Sequence, residues 1–87
     1  MKLSFKGKSA VVTGACGGIG IECVKKLNNT GIKVLMLDLK NPPRNFVKKH
    51  KKVEFEKIDV TNFDKLKKTI NEFFLKNKSI DYLINTT

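Results

Sequence analysis

Several residue types that would point to particular functions are scarce or absent in this sequence. Tryptophan is missing, and there are only one histidine, one arginine and two cysteines. The two cysteines, Cys16 and Cys23, lack the paired spacing of a metal or redox motif, so we expect no metal site. No run of roughly 18 apolar residues occurs, which argues against a membrane span. The first eight residues lack the apolar core of a secretory signal, so the expected compartment is the reducing cytoplasm.

Negative charge is also scarce, because eight acidic residues stand against eighteen basic ones and leave a net charge of +10. Such a balance raises the question of nucleic-acid binding. The lysines are spread along the whole sequence, arginine is nearly absent, and the aromatic residues fall at core spacings rather than between basic residues. Since arginine is the preferred bidentate partner of guanine and phosphate, we expect no nucleic-acid partner. The charge would secondarily attract an anionic dinucleotide.

Two single residues invite a catalytic interpretation that the pattern does not favour. Cys16 lies in a glycine-rich turn beside a predicted helix N-terminus, which would lower the pKa of its thiol. No histidine is near it in sequence, so Cys16 is interpreted as a small turn residue. His50 lies among four lysines and is interpreted as a solvated surface side chain.

Apolar runs alternate with amphipathic segments along the chain. The apolar runs predict strands at 9–13, 33–39, 52–60 and from 79 onward, and residues three and four apart predict helices at 18–29, 44–49 and 62–77. Gly31 is expected to end the first helix in a left-handed conformation, and Thr61 to cap the start of the third. Core residues are expected on the first helix at Ile19, Cys23, Val24 and Leu27, and on the third at Phe63, Leu66, Ile70, Phe73 and Phe74.

This alternation of strands and helices requires crossover connections, which are right-handed. The predicted fold is therefore α/β: a partial Rossmann-type, doubly wound parallel sheet with four strands in the order 3-2-1-4 and helices on both faces. The third strand alternates apolar and acidic residues from Val53 to Glu56, as an edge strand does.

The most specific signal is the turn at 13–20, Thr-Gly-Ala-Cys-Gly-Gly-Ile-Gly, between the first strand and the first helix. Glycines let the backbone approach an anion closely, and the N–H groups that begin the helix then face it. Asp38, Asp59 and Asn85 follow the next three strands at the same edge, where ligands bind in open α/β sheets. Asp38 would accept ribose hydroxyls and repel a 2′-phosphate, which favours NAD over NADP. Each of these side chains could instead be a turn or capping residue.

These motifs resemble the N-terminal third of a short-chain dehydrogenase/reductase. The resemblance rests on Gly7-Lys8, Thr13-Gly14-x-x-x-Gly18-Ile19-Gly20, Asp38, Asp59-Val60-Thr61 and Asp81-Tyr82-Leu83-Ile84-Asn85. Asn41-Pro42 and Leu83-Ile84-Asn85 look most like the insect-type alcohol dehydrogenase branch and its relatives near 15-hydroxyprostaglandin dehydrogenase.

The resemblance implies a role for each matching residue. Gly14, Gly18, Ile19 and Gly20 would line the pyrophosphate, and Asp38 would hold the adenine ribose. Asp59 and the backbone of Val60 would contact adenine, and Asn85 would support the cofactor ribose and the central sheet. Gly17 occupies a position where NADP-preferring members often carry a basic residue, so NAD is again favoured.

The resemblance also implies an oxidoreductase that transfers a hydride to or from a small alcohol or ketone, and a homo-oligomer. The family's catalytic Ser and its Tyr-x-x-x-Lys motif lie downstream of the matching region, and the single tyrosine, Tyr82, is followed at the lysine position by Thr86. We therefore expect residues 1–87 to be one truncated dinucleotide-binding half-domain that lacks catalytic residues, substrate pocket and interface helices, and to show no turnover alone. A non-catalytic NAD- or nucleotide-binding half-domain and an inactive gene fragment are the alternatives.

Overall fold

The computed structural model describes residues 7–86. Thr87 and the first six residues lie outside this range, and those six belong to the stretch for which the sequence predicts no secretory signal. The strands are β1 (Ser9–Thr13), β2 (Lys33–Asp38), β3 (Val53–Lys57) and β4 (Tyr82–Asn85), and the helices are α1 (Gly18–Asn29), α2 (Phe46–Lys49) and α3 (Phe63–Asn77). The sheet order is β3-β2-β1-β4 and every neighbouring pair is parallel. The predicted architecture and strand order are confirmed.

The central strand β1 is buried on both of its faces. Ala10–Val12 are 0% exposed. Within that range the even-numbered residues face a core that contains Val24 of α1 and Phe46 of α2, whereas Val11 faces a second core that contains Phe73 of α3. Since side chains alternate along a strand, α1 and α2 cover one face of the sheet and α3 covers the other.

The end of α1 follows the sequence prediction. Gly31 has a φ of +90°, and its N–H donates to the Asn28 carbonyl at 3.0 Å. The N–H of Ile32 donates to the Leu27 carbonyl at 3.1 Å, and these two side chains pack on the same core. These two hydrogen bonds satisfy carbonyl groups in the last turn of α1 that have no partner within the helix. The predicted left-handed cap at Gly31 is therefore confirmed.

The start of α3 differs from the prediction by one residue. The N–H and the hydroxyl of Thr61 donate to Asp59 Oδ1 at 2.9 and 2.6 Å, which holds Thr61 in the turn before the helix. The next residue, Asn62, caps the helix by accepting a hydrogen bond from the Lys65 N–H at 3.2 Å. The prediction of Thr61 as the cap is wrong, because Thr61 is held in the preceding turn and the side-chain acceptor at the helix start comes from Asn62.

Other element boundaries are shorter than predicted for identifiable reasons. Both β2 and β3 end early, because the register pairs Asp38 with Lys57 and neither strand has a ladder partner beyond that pair. The helix α2 begins at Phe46 because Asn45 has a φ of +64°, which is not a helical value. The strand β4 begins at Tyr82, the first of its residues paired with β1.

The strand β4 is tied to β1 by hydrogen bonds beyond both of its ends. At the amino end, the Ser9 N–H donates to Asp81 Oδ2 at 2.9 Å, and the Asp81 N–H donates to the Ser9 carbonyl at 2.9 Å. At the carboxyl end, the Thr86 N–H donates to the Thr13 carbonyl at 3.1 Å. Leu83 between these ties is 70% exposed, since β4 is an edge strand.

The predicted core stripe of α3 is only partly buried. Phe73 is 4% exposed, but Phe63 and Phe74 are 75% and 45% exposed, so their assignment to the core is wrong. The helix buries the side that faces β1 and β2, and within residues 7–86 no element packs beyond β4 to cover the rest. Ile19 is likewise 77% exposed, because it lies in the first turn of α1 beside the end of the sheet.

Gly20 provides a test of how closely α1 packs on the preceding turn. A Cβ at this position would lie 2.8 Å from the Ala15 backbone and closer still to the Gly14 carbonyl oxygen. We expect Gly20→Ala to lower the free energy of unfolding by about 1–3 kcal/mol, because buried backbone must move. Urea unfolding followed by circular dichroism measures this.

The matched control is Gly18→Ala, where a Cβ would meet nothing within 4 Å. Its free energy of unfolding should stay within about 0.5 kcal/mol of the original chain. Equal stability of the two variants would contradict the close packing at Gly20.

Candidate nucleotide-binding site

The turn between β1 and α1 is held in place by the end of β2. Gly14 has a φ of +66°, a conformation that glycine adopts without steric cost. The Ala15 N–H donates to the Leu37 carbonyl at 3.3 Å, and the Cys16 N–H donates to Asp38 Oδ2 at 2.8 Å. One backbone acceptor and one side-chain acceptor of β2 therefore fix the path of the turn.

The first turn of α1 presents backbone donors that have no partner. The first intrahelical hydrogen bond runs from the Ile21 N–H to the Gly17 carbonyl at 2.9 Å. The N–H groups of Gly18–Gly20 have no acceptor among the described residues, no side chain caps this terminus, and its first turn carries no acidic residue. By contrast, α3 has both a side-chain cap and an acidic residue in its first turn. Open donors and the positive end of the helix dipole make the start of α1 a place for an anion.

Asp38 lies beside this helix start with an ionised carboxylate. It accepts hydrogen bonds from the Cys16 N–H and, at 3.0 Å, from the Lys40 N–H. Partial burial alone would raise the pKa of Asp38, but backbone hydrogen bonds from Lys40, Cys16 and Leu39 and the charge of Lys40 together lower it. A carboxylate offers about four lone-pair sites, so Asp38 has capacity to accept further hydrogen bonds from a ligand.

Asp59 and Val60 lie in the turn after β3, at the same edge of the sheet. Asp59 is exposed, and its hydrogen bonds from the hydroxyl and N–H of Thr61 lower its pKa. It therefore acts as a turn residue, which is one of the interpretations that the sequence left open. Val60 is 39% exposed.

Asn85 joins the ends of the two neighbouring strands β4 and β1. Its Oδ1 accepts a hydrogen bond from the Thr13 hydroxyl at 3.0 Å, and the register pairs the two residues. Sequence reasoning missed the adjacent Thr86, whose hydroxyl lies 2.9 Å from the Thr13 carbonyl and 2.8 Å from the Gly14 carbonyl. The signal available was a pair of polar residues directly after the apolar part of the fourth strand.

All the predicted site residues lie along the carboxyl edge of the sheet, but hydrogen bonds link only some of them. Asp38 contacts the glycine-rich turn directly, and Asn85 reaches its first residue, Thr13. The described side-chain bonds of Asp59 stay within its own turn. The site is therefore built around β1, β2 and the start of α1.

Two sequence interpretations of single residues are corrected. Burial and, secondarily, the Asp38 carboxylate raise the pKa of Cys16 to about 11, so the expected lowering by the helix terminus is wrong. His50 is half-buried rather than solvated, with Nδ1 2.8 Å from the Phe46 carbonyl oxygen and its ring 4.2 Å from the Phe46 ring. The Cys16 thiol is therefore protonated at neutral pH, where it is a poor nucleophile.

Residues 7–86 contain neither a cluster of metal ligands nor a membrane-spanning helix. No three His, Cys, Asp or Glu side chains in this range come together as metal ligands. None of the helices in the same range has the length and hydropathy required to cross a membrane.

A family model described as short chain dehydrogenase matches residues 8–87, and the chain belongs to this family. Dehydrogenase RED2 of Cochliobolus heterostrophus is 40% identical over 75 residues, which cover 86% of this chain and 28% of that protein. The chain thus spans less than a third of the length of this relative. The resemblance inferred from the motifs is confirmed at the level of the family, and the insect-type branch stays a prediction.

Solved structures of similar proteins confirm the partial Rossmann fold. The crystal structure of Cj0485 dehydrogenase has a TM-score of 0.86 at 26% identity and covers 99% of this chain and 34% of its own. A short chain dehydrogenase from Leptospira borgpetersenii, solved with bound NAD+, has a TM-score of 0.81 at 30% identity over 94% of this chain and 32% of its own. This chain therefore corresponds to about a third of each of these dehydrogenase structures and has the partial Rossmann fold of that part.

The raised pKa of Cys16 is testable by alkylation in a Cys23→Ser background. Because burial and the Asp38 charge both favour the neutral thiol, the rate with iodoacetamide should rise with a midpoint at about pH 11. Asp38→Asn removes the charge and leaves the burial, so the midpoint should fall while staying above the ordinary value of ~8.5. A midpoint near that ordinary value in the Cys23→Ser chain would contradict the assigned environment.

Proposed function

We propose that this chain is the cofactor-binding portion of an NAD-dependent oxidoreductase that acts on an alcohol or carbonyl substrate. The observation that carries the proposal is the open start of α1 directly beside the ionised Asp38. When bound, NAD supplies the hydride chemistry, and the residues of this chain bind and orient it. The proposal includes a cytoplasmic location and, if the chain is part of a full-length family member, a homo-oligomeric state of that protein.

The glycine-rich turn fits a pyrophosphate group. The three open N–H groups of Gly18–Gly20 and the dipole of α1 favour negative charge at this point. A side-chain atom at Gly18 would meet nothing within 4 Å, so the space beside the turn is open to a ligand. Gly14 and Gly20 serve the same site through the turn conformation and close packing, and Ile19 lies exposed beside it.

Asp38 fits the adenine ribose of NAD. Its carboxylate is ionised at neutral pH and would accept hydrogen bonds from ribose hydroxyls, whereas a 2′-phosphate would meet its negative charge. The charge of Lys40 lies close enough to lower the pKa of Asp38. Lys40 would therefore soften the repulsion, and we expect a preference for NAD rather than exclusion of NADP.

The remaining proposed contacts lie further along the same edge. Asp59 and the backbone of Val60 would contact adenine, and Asn85, which already joins β4 to β1, would support the cofactor ribose. No residue of this chain is proposed to act in catalysis. Tyr82 lies at the amino end of β4, the edge opposite the candidate site.

A non-catalytic NAD-binding half-domain is the second candidate, because the single tyrosine of the 87 residues, Tyr82, is followed four positions later by Thr86 and not by lysine. Both candidates predict that the 87-residue chain binds NAD without turnover. The reading frame beyond Thr87 separates them, since an in-frame Ser and Tyr-x-x-x-Lys would support the enzyme and a stop codon the half-domain.

Removing the Asp38 carboxylate should change both affinity and cofactor preference. A hydrogen bond to a charged group contributes ~1.5–3 kcal/mol, so Asp38→Ala should weaken NAD binding about tenfold to a hundredfold. Asp38→Asn keeps an acceptor for the Cys16 N–H and loses the charge, so it should chiefly relax the discrimination against NADP. Isothermal titration with NAD and NADP measures both effects.

The matched control is Asp64→Ala, which removes an exposed carboxylate from the first turn of α3. It should leave both affinities unchanged. An unchanged ratio of NAD to NADP affinity in Asp38→Asn would contradict the proposed role of Asp38.

Gly18→Val should place a branched side chain in the space proposed for the pyrophosphate. Because that space is open in the structure, the variant should fold normally and lose NAD affinity by at least about tenfold. Gly18→Ala should lose less, so the series tests steric exclusion. Full NAD affinity in Gly18→Val, with an unchanged circular dichroism spectrum, would rule out this position for the pyrophosphate.

A further inference from the structure

Positive charge gathers on the edge of the sheet opposite the candidate nucleotide site. Two segments, 26–33 and 48–52, border the amino ends of β2 and β3. Six exposed lysines lie on them, and we name this set the amino-edge lysines: Lys26, Lys33, Lys48, Lys49, Lys51 and Lys52.

Hydrogen bonds bring these two segments together in space. The Lys52 ammonium donates to the Gly31 carbonyl at 3.3 Å, and the Val34 N–H donates to the Lys52 carbonyl at 2.9 Å. A shallow cleft of about 200 Å³ lies between them, with Lys33 and Lys51 among its lining residues. Lysines that are spread along the sequence thus form one surface. Their spread was one of the sequence arguments against a nucleic-acid partner, and the fold removes that argument.

Within residues 7–86, the protein itself neutralises little of the charge of this surface, and the one carboxylate that lines the cleft is that of Glu54. Residues 23–33 and 46–53 contain no acidic side chain, and the nearest carboxylate in sequence, Glu54, pairs with Lys76. Among the residues that the structure describes, only Lys52 of the six has a side-chain partner, and that partner is a carbonyl.

The carboxyl edge is electrostatically different. Its loops and the adjoining ends of β2, β3 and α3 carry four basic and three acidic residues, which nearly balance: Lys40, Arg44, Lys57 and Lys65 against Asp38, Asp59 and Asp64. The net charge of the protein is therefore displaced away from the proposed cofactor site. Attraction of a dinucleotide does not account for it.

Favourable interactions with helix dipoles explain the positions of only some of the amino-edge lysines. Lys26, Lys48 and Lys49 lie in the last turns of α1 and α2, where cations are favourable. Lys33 begins a strand, and Lys51 and Lys52 lie in a turn, so that explanation does not reach them. Half of the cluster has no stabilising role in the described structure other than the one hydrogen bond of Lys52.

We propose that the amino-edge lysines bind the phosphodiester backbone of a nucleic acid without reading its base sequence. Lysine binds phosphate as a point charge, whereas the two segments contain no arginine for bidentate base contacts and no exposed aromatic side chain for stacking. None of the large exposed apolar side chains lies on these segments, which disfavours insertion into a lipid surface.

An extended chain of phosphates fits this surface better than a single small anion. Within the described chain, the side-chain oxygen of Asn77 in the cleft is buried without a hydrogen-bond partner, and its amide nitrogen donates to the Phe73 carbonyl at 2.9 Å. The amide oxygen is buried rather than presented to the cleft, and the Glu54 carboxylate, which also lines the cleft, would repel a lone phosphate. The exposed lysines around the cleft remain available to an extended polyanion.

The test uses the 87-residue chain and a fluorescein-labelled 20-nucleotide oligothymidine in an anisotropy titration at several salt concentrations. The variant Lys33→Gln/Lys49→Gln/Lys51→Gln removes three amino-edge charges. The control Lys57→Gln/Lys67→Gln/Lys68→Gln removes three exposed charges elsewhere, so the net charges match. Circular dichroism checks that both variants fold.

We expect the amino-edge variant to bind about tenfold more weakly than the original chain and the control variant less than about twofold more weakly. Each lost phosphate contact lowers the slope of log affinity against log salt by ~0.7 for a single strand, so the amino-edge variant should lose about 2 in slope. Equal weakening in the two variants would show diffuse charge attraction and overturn the proposal.

Two further outcomes would also overturn it. Displacement of the oligonucleotide by saturating NAD would place binding at the carboxyl edge instead. Tighter, equally variant-sensitive binding to phosphatidylserine vesicles would assign the surface to lipid. Since the two proposed sites lie on opposite edges, an oligonucleotide that fails to bind leaves the cofactor proposal intact, and a chain that fails to bind NAD leaves this one intact.

Discussion

The close approach between α1 and the turn before it is the constraint on which the candidate site depends. Gly20 admits this approach, because any larger residue would meet the Gly14 carbonyl and the Ala15 backbone. The approach lets α1 cover the central strand while its first N–H groups stay open at the sheet edge. The hydrogen bond from Cys16 to Asp38 then ties that helix start to the end of β2. Packing and ligand binding thus share one set of backbone atoms.

The alternation of strands and helices was sufficient to predict the strand order, and local chemistry was sufficient to predict the cap at Gly31. Errors arose where the outcome depends on neighbours distant in sequence. Helical spacing identifies Phe63 and Phe74 as one stripe, but the extent of burial depends on what lies beyond β4. The pKa of Cys16 is raised chiefly by burial and secondarily by a carboxylate 22 residues away, and neither is visible in the local sequence.

Competition between adjacent residues is a second limit on prediction. Thr61 and Asn62 are both good capping residues, and the sequence does not show that Thr61 bonds to Asp59 in the preceding turn while Asn62 accepts from the Lys65 N–H. The distribution of charge in three dimensions is a third limit on prediction. A uniform spread of lysines in the sequence becomes an asymmetric one in the fold, since strand starts and the last turns of helices meet at one edge. Of the candidate site, the location was predictable, and the network that joins Thr13, Asn85 and Thr86 was not.

The ties beyond both ends of β4 have a consequence for how a larger sheet could grow. The mutual hydrogen bonds of Ser9 and Asp81, and that of Thr86 with Thr13, hold this short strand in one alignment with β1. A shift of two residues would break them together, so the outer row of backbone donors and acceptors has a defined phase. A further strand that paired with β4 at Leu83 would therefore meet backbone donors and acceptors whose position relative to β1 is already fixed. The outer edge of β4 is thus exposed, and its register relative to β1 is fixed.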